Sequence, residues 1–471
     1  MTEVVYKPTT QLKDGVLLES ENAGRDLYLS TIIASLVITS AVCSFIWMSP
    51  ALIVLKSTDP NVNPIGRPVT PLEESIIGGI WLVGVVFGNL SLSRLPDVFG
   101  RKKIIMFVSI LLLASFLLLA FASNVYLLYL GRFLTGFCFG MYFPLLSIYV
   151  SEISGPRNRG KFGGSIGFFI TLGGVYTFAL APFFSLPVFT LLCTLPLTIS
   201  IACFIFIPET PVQLVSKGNM QSAEKILKRL RGRSGIQNEL EEIQATIRTS
   251  GRNKGGEILP KFKSPGTRKA LVLAIIINTL QRLVGHSAFL GYLHPVLAAG
   301  GVSPKIVPFL TSLMLLPLHL VSATLTDRLG RRPMLLFSVF VYGSSVMTLG
   351  VHFYFQELHY TLSNALWIPI TCMALMFGGF TIGMGMIPTI LASEILPDEV
   401  KSFGMSLANF ASTVGNMVAI FTFPIIMEFM GLYWCCWLSG MVSLFTLLFV
   451  FFFVPETKGK TVLEIQKMFS S

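Results

Sequence analysis

Charged residues are scarce in this 471-residue chain: 13% are Asp, Glu, Lys or Arg, about half the share of an ordinary soluble protein. The scarcity is concentrated. Residues 27–55 and 162–208 carry no charge, 104–151 only Arg132, 333–393 only Glu357, and 402–454 only Glu428. Blocks this long and apolar argue against a soluble protein with one large core. Each can supply one or two membrane helices of about 20 residues. Histidine and cysteine are also few, five and seven. The histidines lack metal-ligand spacing. The cysteines all fall in apolar blocks, with only Cys435 and Cys436 adjacent, and read as packing residues. There is no phosphate-binding glycine loop, zinc pattern or nucleophile elbow. No catalytic residue, metal or cofactor is therefore assigned, and no enzyme is expected.

What the chain has instead is 53% hydrophobic residues, 39 of its residues being Phe. The pattern predicts an all-α membrane protein with twelve spans near 28–50, 73–93, 104–123, 126–150, 162–182, 186–207, 269–293, 304–325, 333–354, 365–392, 402–426 and 432–454. The first 26 residues are polar and of mixed charge, so the first span is read as a retained anchor and not a secretory signal. Thirty of the 35 Lys and Arg fall in segments that share one side of the membrane with both termini. Cytoplasmic loops are enriched in these residues, so both termini are expected inside. The net charge of +11 then marks a face lying on anionic lipid and not a nucleic-acid partner.

Three motifs occur twice in the same order. RLPDVFGRKK (94–103) returns as TDRLGRRP (326–333), YVSEISGPRNRG (149–160) as LASEILPDEVKS (391–402), and PETPVQL (208–214) as PETKGKT (455–461). Asp97 and Asp327 are separated by 230 positions, Glu152 and Glu394 by 242, Glu209 and Glu456 by 247. Such repetition divides the chain into an N-terminal tail (1–27), a six-helix bundle (28–208), a cytoplasmic helical linker (209–268), a second bundle (269–454) and a tail (455–471). Two pseudo-symmetric bundles are a transporter architecture, with substrate held between halves that rock. The repeated charges, Asp97, Arg101, Glu152, Arg159 and Glu209 in one half and Asp327, Arg331, Glu394, Lys401 and Glu456 in the other, sit at cytoplasmic span ends. They are read as a gating network that fastens this side. Positive-inside signals alone would not require the acids. Single exposed pairs contribute about 0–1 kcal/mol, so several are needed. Gly100 and Gly330 fit tight turns of positive φ. In the linker, Leu240, Ile243 and Ile247 fall on one helical face.

These residues resemble the sugar porter family of the major facilitator superfamily. The signature G-x-x-x-D-R/K-x-G-R-R/K matches at Asp97, Gly100, Arg101 and Lys102, and again at Asp327, Arg328, Gly330, Arg331 and Arg332. Ser93 and Ala323 replace its leading glycine. GRFLTG with Tyr149, Glu152, Arg159 and Gly160, PETP at 208–211 and PETKG at 455–459 match the porter signatures. WMSPAL (47–52) looks like the insect trehalose and glucose facilitators of that family. The resemblance implies alternating access and linker helices packed under the spans.

At the expected sugar site the pattern departs. In place of Q-Q-x-x-G-x-N the seventh span reads QRLVGHSAFLGY, keeping Gln281, Gly285 and Tyr292 but substituting Arg282 and Ser287. Gly167 stands at the fifth-span Gln position, and Leu315 at the eighth-span Asn position. The tenth span keeps Pro388 but carries Thr389 where Trp is usual. Candidate substrate contacts are Gln281, Arg282, Ser287, Tyr292, Trp47 and Thr389. A mid-span arginine is costly and faces a cavity or a partner: Arg282 contacts either the solute or helix carbonyls and Gln281, while Arg132 reads as structural. No carboxylate lies deep in any span, which favours facilitated diffusion over proton coupling. The expected function is facilitative uniport of a sugar such as trehalose or a hexose at the cell membrane, by a monomer. The alternatives are carriage of a different solute, such as an organic anion held by Arg282, and a non-transporting nutrient sensor.

Overall fold

A computed structural model describes residues 12–13, 16–17, 24–91, 95–155, 158–232, 236–252, 265–360, 367–458, 460 and 464. Within spans a few side chains, including those of Asp97, Arg159 and Asp327, lie outside the described set. Helix dominates; the one strand pairing among the described residues joins Leu12–Lys13 to Val16–Leu17.

The first half comprises α1 (Arg25–Ile46), α2 (Met48–Leu55), α3 (Pro71–Ser91), α4 (Leu95–Phe99), α5 (Arg101–Ala120), α6 (Val125–Ser154), α7 (Arg159–Leu180), α8 (Leu186–Leu192) and α9 (Leu195–Cys203). Apolar blocks become helices because lipid offers no partner for backbone amides. Asn124 starts α6 by accepting from Leu127 N–H at 2.9 Å. α3 and α6 run so close that a Cβ at Gly136 would lie 1.9 Å from Trp81 O, and one at Gly140 2.2 Å from Val85 O. Small residues permit that approach where no hydrophobic force drives helices together.

A linker of α10 (Pro211–Ser216), α11 (Met220–Arg231) and α12 (Gln237–Arg252) follows. The predicted face is real: Ile243 and Ile247 pack on buried Leu240, Val215 and Ala223. Arg231, 2% exposed, anchors the linker beneath the first half. It donates to Ile153 O at 2.7 Å and pairs with Glu239 at 2.6 Å.

The second half comprises α13 (Pro265–Leu283), α14 (His286–Gly291), α15 (Leu293–Ala299), α16 (Val307–Leu329), α17 (Arg331–Glu357), α18 (Trp367–Gly379), α19 (Ile387–Ile395), α20 (Asp398–Phe429) and α21 (Leu432–Phe453). Among the described residues, eleven helical runs are long and apolar enough to cross a membrane. α16 makes the twelfth traverse, its Val307–His319 portion being apolar.

Several ends differ from expectation. The first traverse runs from Arg25 to Leu55, not 28–50, because Arg25 and Asp26 form its first turn and Asp26 pairs with Arg229 of α11 at 2.7 Å. The seventh breaks at Gly285, whose φ of +82° a side chain would resist. The tenth contains a π segment, Phe380–Met384.

Candidate functional site

The charged motifs form two clusters, one on each half, at the face where α1 begins and α21 ends. On α5, Arg101 pairs with Glu152 of α6 (Nη2 to Oε1 3.0 Å, Nε to Oε1 3.2 Å). It also donates to Pro96 O at 3.2 Å and to Gln213 of the linker. On α17, Arg331 pairs with Glu394 of α19 (Nη2 and Nε to Oε1, both 3.2 Å) and donates to Thr326 O at 3.3 Å. The two arginines therefore reach matching partners, each including a carbonyl five residues back.

Glu209 and Glu456 have a part that charge pattern alone did not reveal. Glu209 accepts the Lys102 N–H at 3.1 Å, and Glu456 accepts those of Arg331 and Arg332 at 3.1 and 3.0 Å. Each carboxylate thus caps the first turn of a span, where free amides and the helix dipole favour an anion. Burial opposes ionisation of Glu456, but hydrogen bonds from the backbone of Lys458, Arg331, Arg332 and Thr457 hold its carboxyl below the ordinary range. Gly100 (φ +102°) and Gly330 (φ +99°) make room: a Cβ would lie 2.5 Å from Glu209 Oε2 or 2.8 Å from Glu456 Oε2. Thr457 Oγ1 reaches Glu394 at 2.5 Å. Lys401, on α20, makes an interaction within its surroundings.

Contacts between the halves gather at mid-depth and towards the opposite face. Ser49 Oγ on α2 lies 2.8 Å from His294 Nδ1 and accepts the His294 N–H at 2.9 Å. The His294 ring packs on Phe178 at 5.5 Å. A Cβ at Gly78 of α3 would lie 2.9 Å from Tyr292 Oη. Thr171 of α7 meets His319 of α16 at 3.2 Å. Sequence reading missed Ser49, His294, Thr171 and His319. Their only signal is polarity inside apolar runs, which in spans also arises from hydroxyls bonding their own helix.

The six candidate solute contacts are not equally placed. Gln281 donates to Met384 O at 2.5 Å and Gly385 O at 3.1 Å, securing carbonyls at the irregular tenth traverse. Thr389 is exposed and donates to Asn278 Oδ1 at 3.4 Å. Ser287 is buried. Tyr292 is fully buried, stacked on Phe423 at 5.0 Å, with its hydroxyl 3.4 Å from Ile420 O. Trp47 is fully buried too, donating to Thr190 Oγ1 at 2.7 Å. Its ring flanks Arg132, 5.8 Å away. Arg132, read as structural, donates to Ile77 O at 3.1 Å and to Ser44 O, with Trp81 on another side. Arg282 alone of the six is a half-buried charge.

The sequence model of the family described as Sugar (and other) transporter matches residues 28–469. The chain is 28% identical over 467 residues to the Facilitated trehalose transporter Tret1 of Drosophila virilis, an alignment covering 98% of this chain and 50% of that protein. It is also 28% identical over 440 residues to the Tret1 of Bombyx mori, covering 90% and 83%. The chain thus spans about half the length of the fly relative. An inward open structure of the xylose transporter XylE from E. coli superposes with a TM-score of 0.79 at 18% identity, over 94% of this chain and 99% of that one. A POT family transporter bound to 5-aminolevulinic acid gives 0.65 at 12%, over 92% and 96%.

Proposed function

We propose, because this chain belongs to the Sugar (and other) transporter family and has the major facilitator fold, that it carries a sugar down its gradient by alternating access. Trehalose or a hexose is the class its named relatives suggest. Both termini lie in the cytoplasm and the protein resides in the cell membrane, as the clustering of Lys and Arg on that face favours.

The observation that carries the reading is the division of contacts. Among the described residues, Arg101 pairs with Glu152 and Arg331 with Glu394, each within its own half, where Glu209 and Glu456 cap the start of a span. The Ser49–His294 and Thr171–His319 contacts cross between halves, away from that face. Two rigid ends joined by breakable cross-contacts suit a rocking pair. The ion pairs keep each cytoplasmic end intact while that side opens and closes. Asp97, Asp327, Arg159 and Lys401 belong to this gating set by repeat position.

Uniport is favoured because Glu74, a buried carboxylate, sits in the first turn of α3 and is paired with Lys56 at 2.7 Å. In reconstituted vesicles, labelled trehalose or glucose should equilibrate without a proton gradient, and Glu152→Gln should slow entry while surface expression persists. Absence of any sugar flux from folded protein would leave the sensor reading.

A further inference from the structure

The two intramembrane arginines have opposite fates. Arg132 is 1% exposed and fully engaged, by Ile77 O, Ser44 O and the faces of Trp47 and Trp81. Arg282 stands near the middle of the run from Pro265 to Ala299, at the end of α13. It is half-buried, and among the described residues no group accepts a hydrogen bond from its guanidinium and no carboxylate pairs with it.

The groups that could have quieted it are occupied. Gln281 is turned to Met384 O and Gly385 O. The break at Gly285 frees carbonyls, but Val284 O is taken by Tyr342 Oη at 2.9 Å and by Ser439 Oγ, and the Arg282 carbonyl by Gly285 N–H at 3.1 Å. The described acids of the spans, such as Glu74, Glu152 and Glu394, belong to span ends and to other partners.

Past the break at Gly285 comes an imidazole, which donates from one ring nitrogen and accepts at the other. His286 comes four residues after Arg282, and α16, which carries His319, bonds the π segment Phe380–Met384 through Ser322 Oγ to Ile382 O at 2.7 Å. The His286 ring is clamped flat on Phe380, centroids 3.6 Å apart at 7°, with Phe377 edge-on at 5.2 Å. Its buried Nδ1 has no partner. His319 extends the cluster to Thr171 of the other half.

We propose that this cluster receives the carboxylate of a sugar acid, Arg282 gripping it and the imidazoles and Thr171 serving adjoining hydroxyls. This rests on the transport reading and puts an anionic monosaccharide in place of the neutral sugar as the preferred solute. A guanidinium fork matches a carboxylate bidentately. A neutral hexose would leave the charge uncompensated in a place where that is costly.

The test uses the full chain in liposomes with labelled glucuronate, glucose and trehalose, and thermal shift as an independent binding measure. Glucuronate should enter about tenfold or more faster than glucose, the worth of one charge-assisted hydrogen bond, and should raise the melting temperature. Arg282→Gln should lower the glucuronate-to-glucose uptake ratio at least about tenfold and abolish the glucuronate shift. If that variant does not purify as a monodisperse protein, Arg282→Lys, which keeps charge but loses the fork, should lower the same ratio. Wild-type protein that carries glucose or trehalose but neither carries nor binds glucuronate overturns the inference and leaves sugar transport standing. An unchanged ratio in a folded Arg282 variant also overturns it. Folded protein that carries none of the three overturns the transport reading itself.

Discussion

A single missing methyl group decides whether each charged cluster can form. At Gly330 the backbone has φ +99° and a Cβ would press on Glu456 Oε2, so Gly330→Ala combines strain with a displaced cap. It should cost about 1–3 kcal/mol, read as a lower melting temperature in detergent. Glu456 gives a pH signature. Its carboxyl is held below its ordinary value, so the stability it adds is full above about pH 5 and is lost as pH falls through the folded value. Melting temperature should therefore drop on acidification from about pH 6 to pH 3, and Glu456→Gln should shrink that drop. At this scale the sequence was informative for side-chain ion pairs and less so for side chains that bind backbone. The repeat singled out Arg101, Glu152, Arg331 and Glu394, which pair within each half, because charges at span ends follow the chain's own alternation. It did not show that Glu209 and Glu456 act as caps, since a carboxylate's choice between amides and cations is made in three dimensions. Nor did it show that Thr190 and Arg132 stand around Trp47.

Among elements, α11 and the α14–α15 pair carry the sharper expectations. Arg231 is buried and joins α11 to α12 and to the end of α6. Removing it strands Glu239, and breaking a buried pair costs about 3–5 kcal/mol. Arg231→Ala should loosen the linker, seen as faster proteolysis between α11 and α12. At α15, Ser49→Ala removes two contacts to His294. A loss of about 1–2 kcal/mol would move the population towards opening on the face opposite the charged clusters by roughly tenfold. Spin-label distances between α2 and α15 would record the longer state. The amphipathic linker face could be read directly, because period 3.6 is a strong signal in a polar segment. The breaks at Gly285 and in Phe380–Met384 could not, because in an apolar run helix and distorted helix have the same composition.

Over the whole molecule, what was legible is the architecture: twelve traverses, two halves and a helical linker follow from charge blocks and from three motifs repeated at offsets between 230 and 247. The solute was not legible, because the residues usual at such a site are replaced and the mid-membrane contacts come from polar groups hidden among hundreds of apolar ones. If the halves rock, adding a carried solute should shorten one set of inter-half distances and lengthen the other, on opposite faces, in the same sample. A ligand that tightens both faces equally would contradict a pivot. The duplicated clusters also make the chain its own comparator. Arg101→Ala and Arg331→Ala are one lesion made twice, in the same lipid, at the same expression level and against the same substrate. Any disparity between them measures how unequally the two halves share the load of a cycle, a quantity that single-copy machines cannot report about themselves.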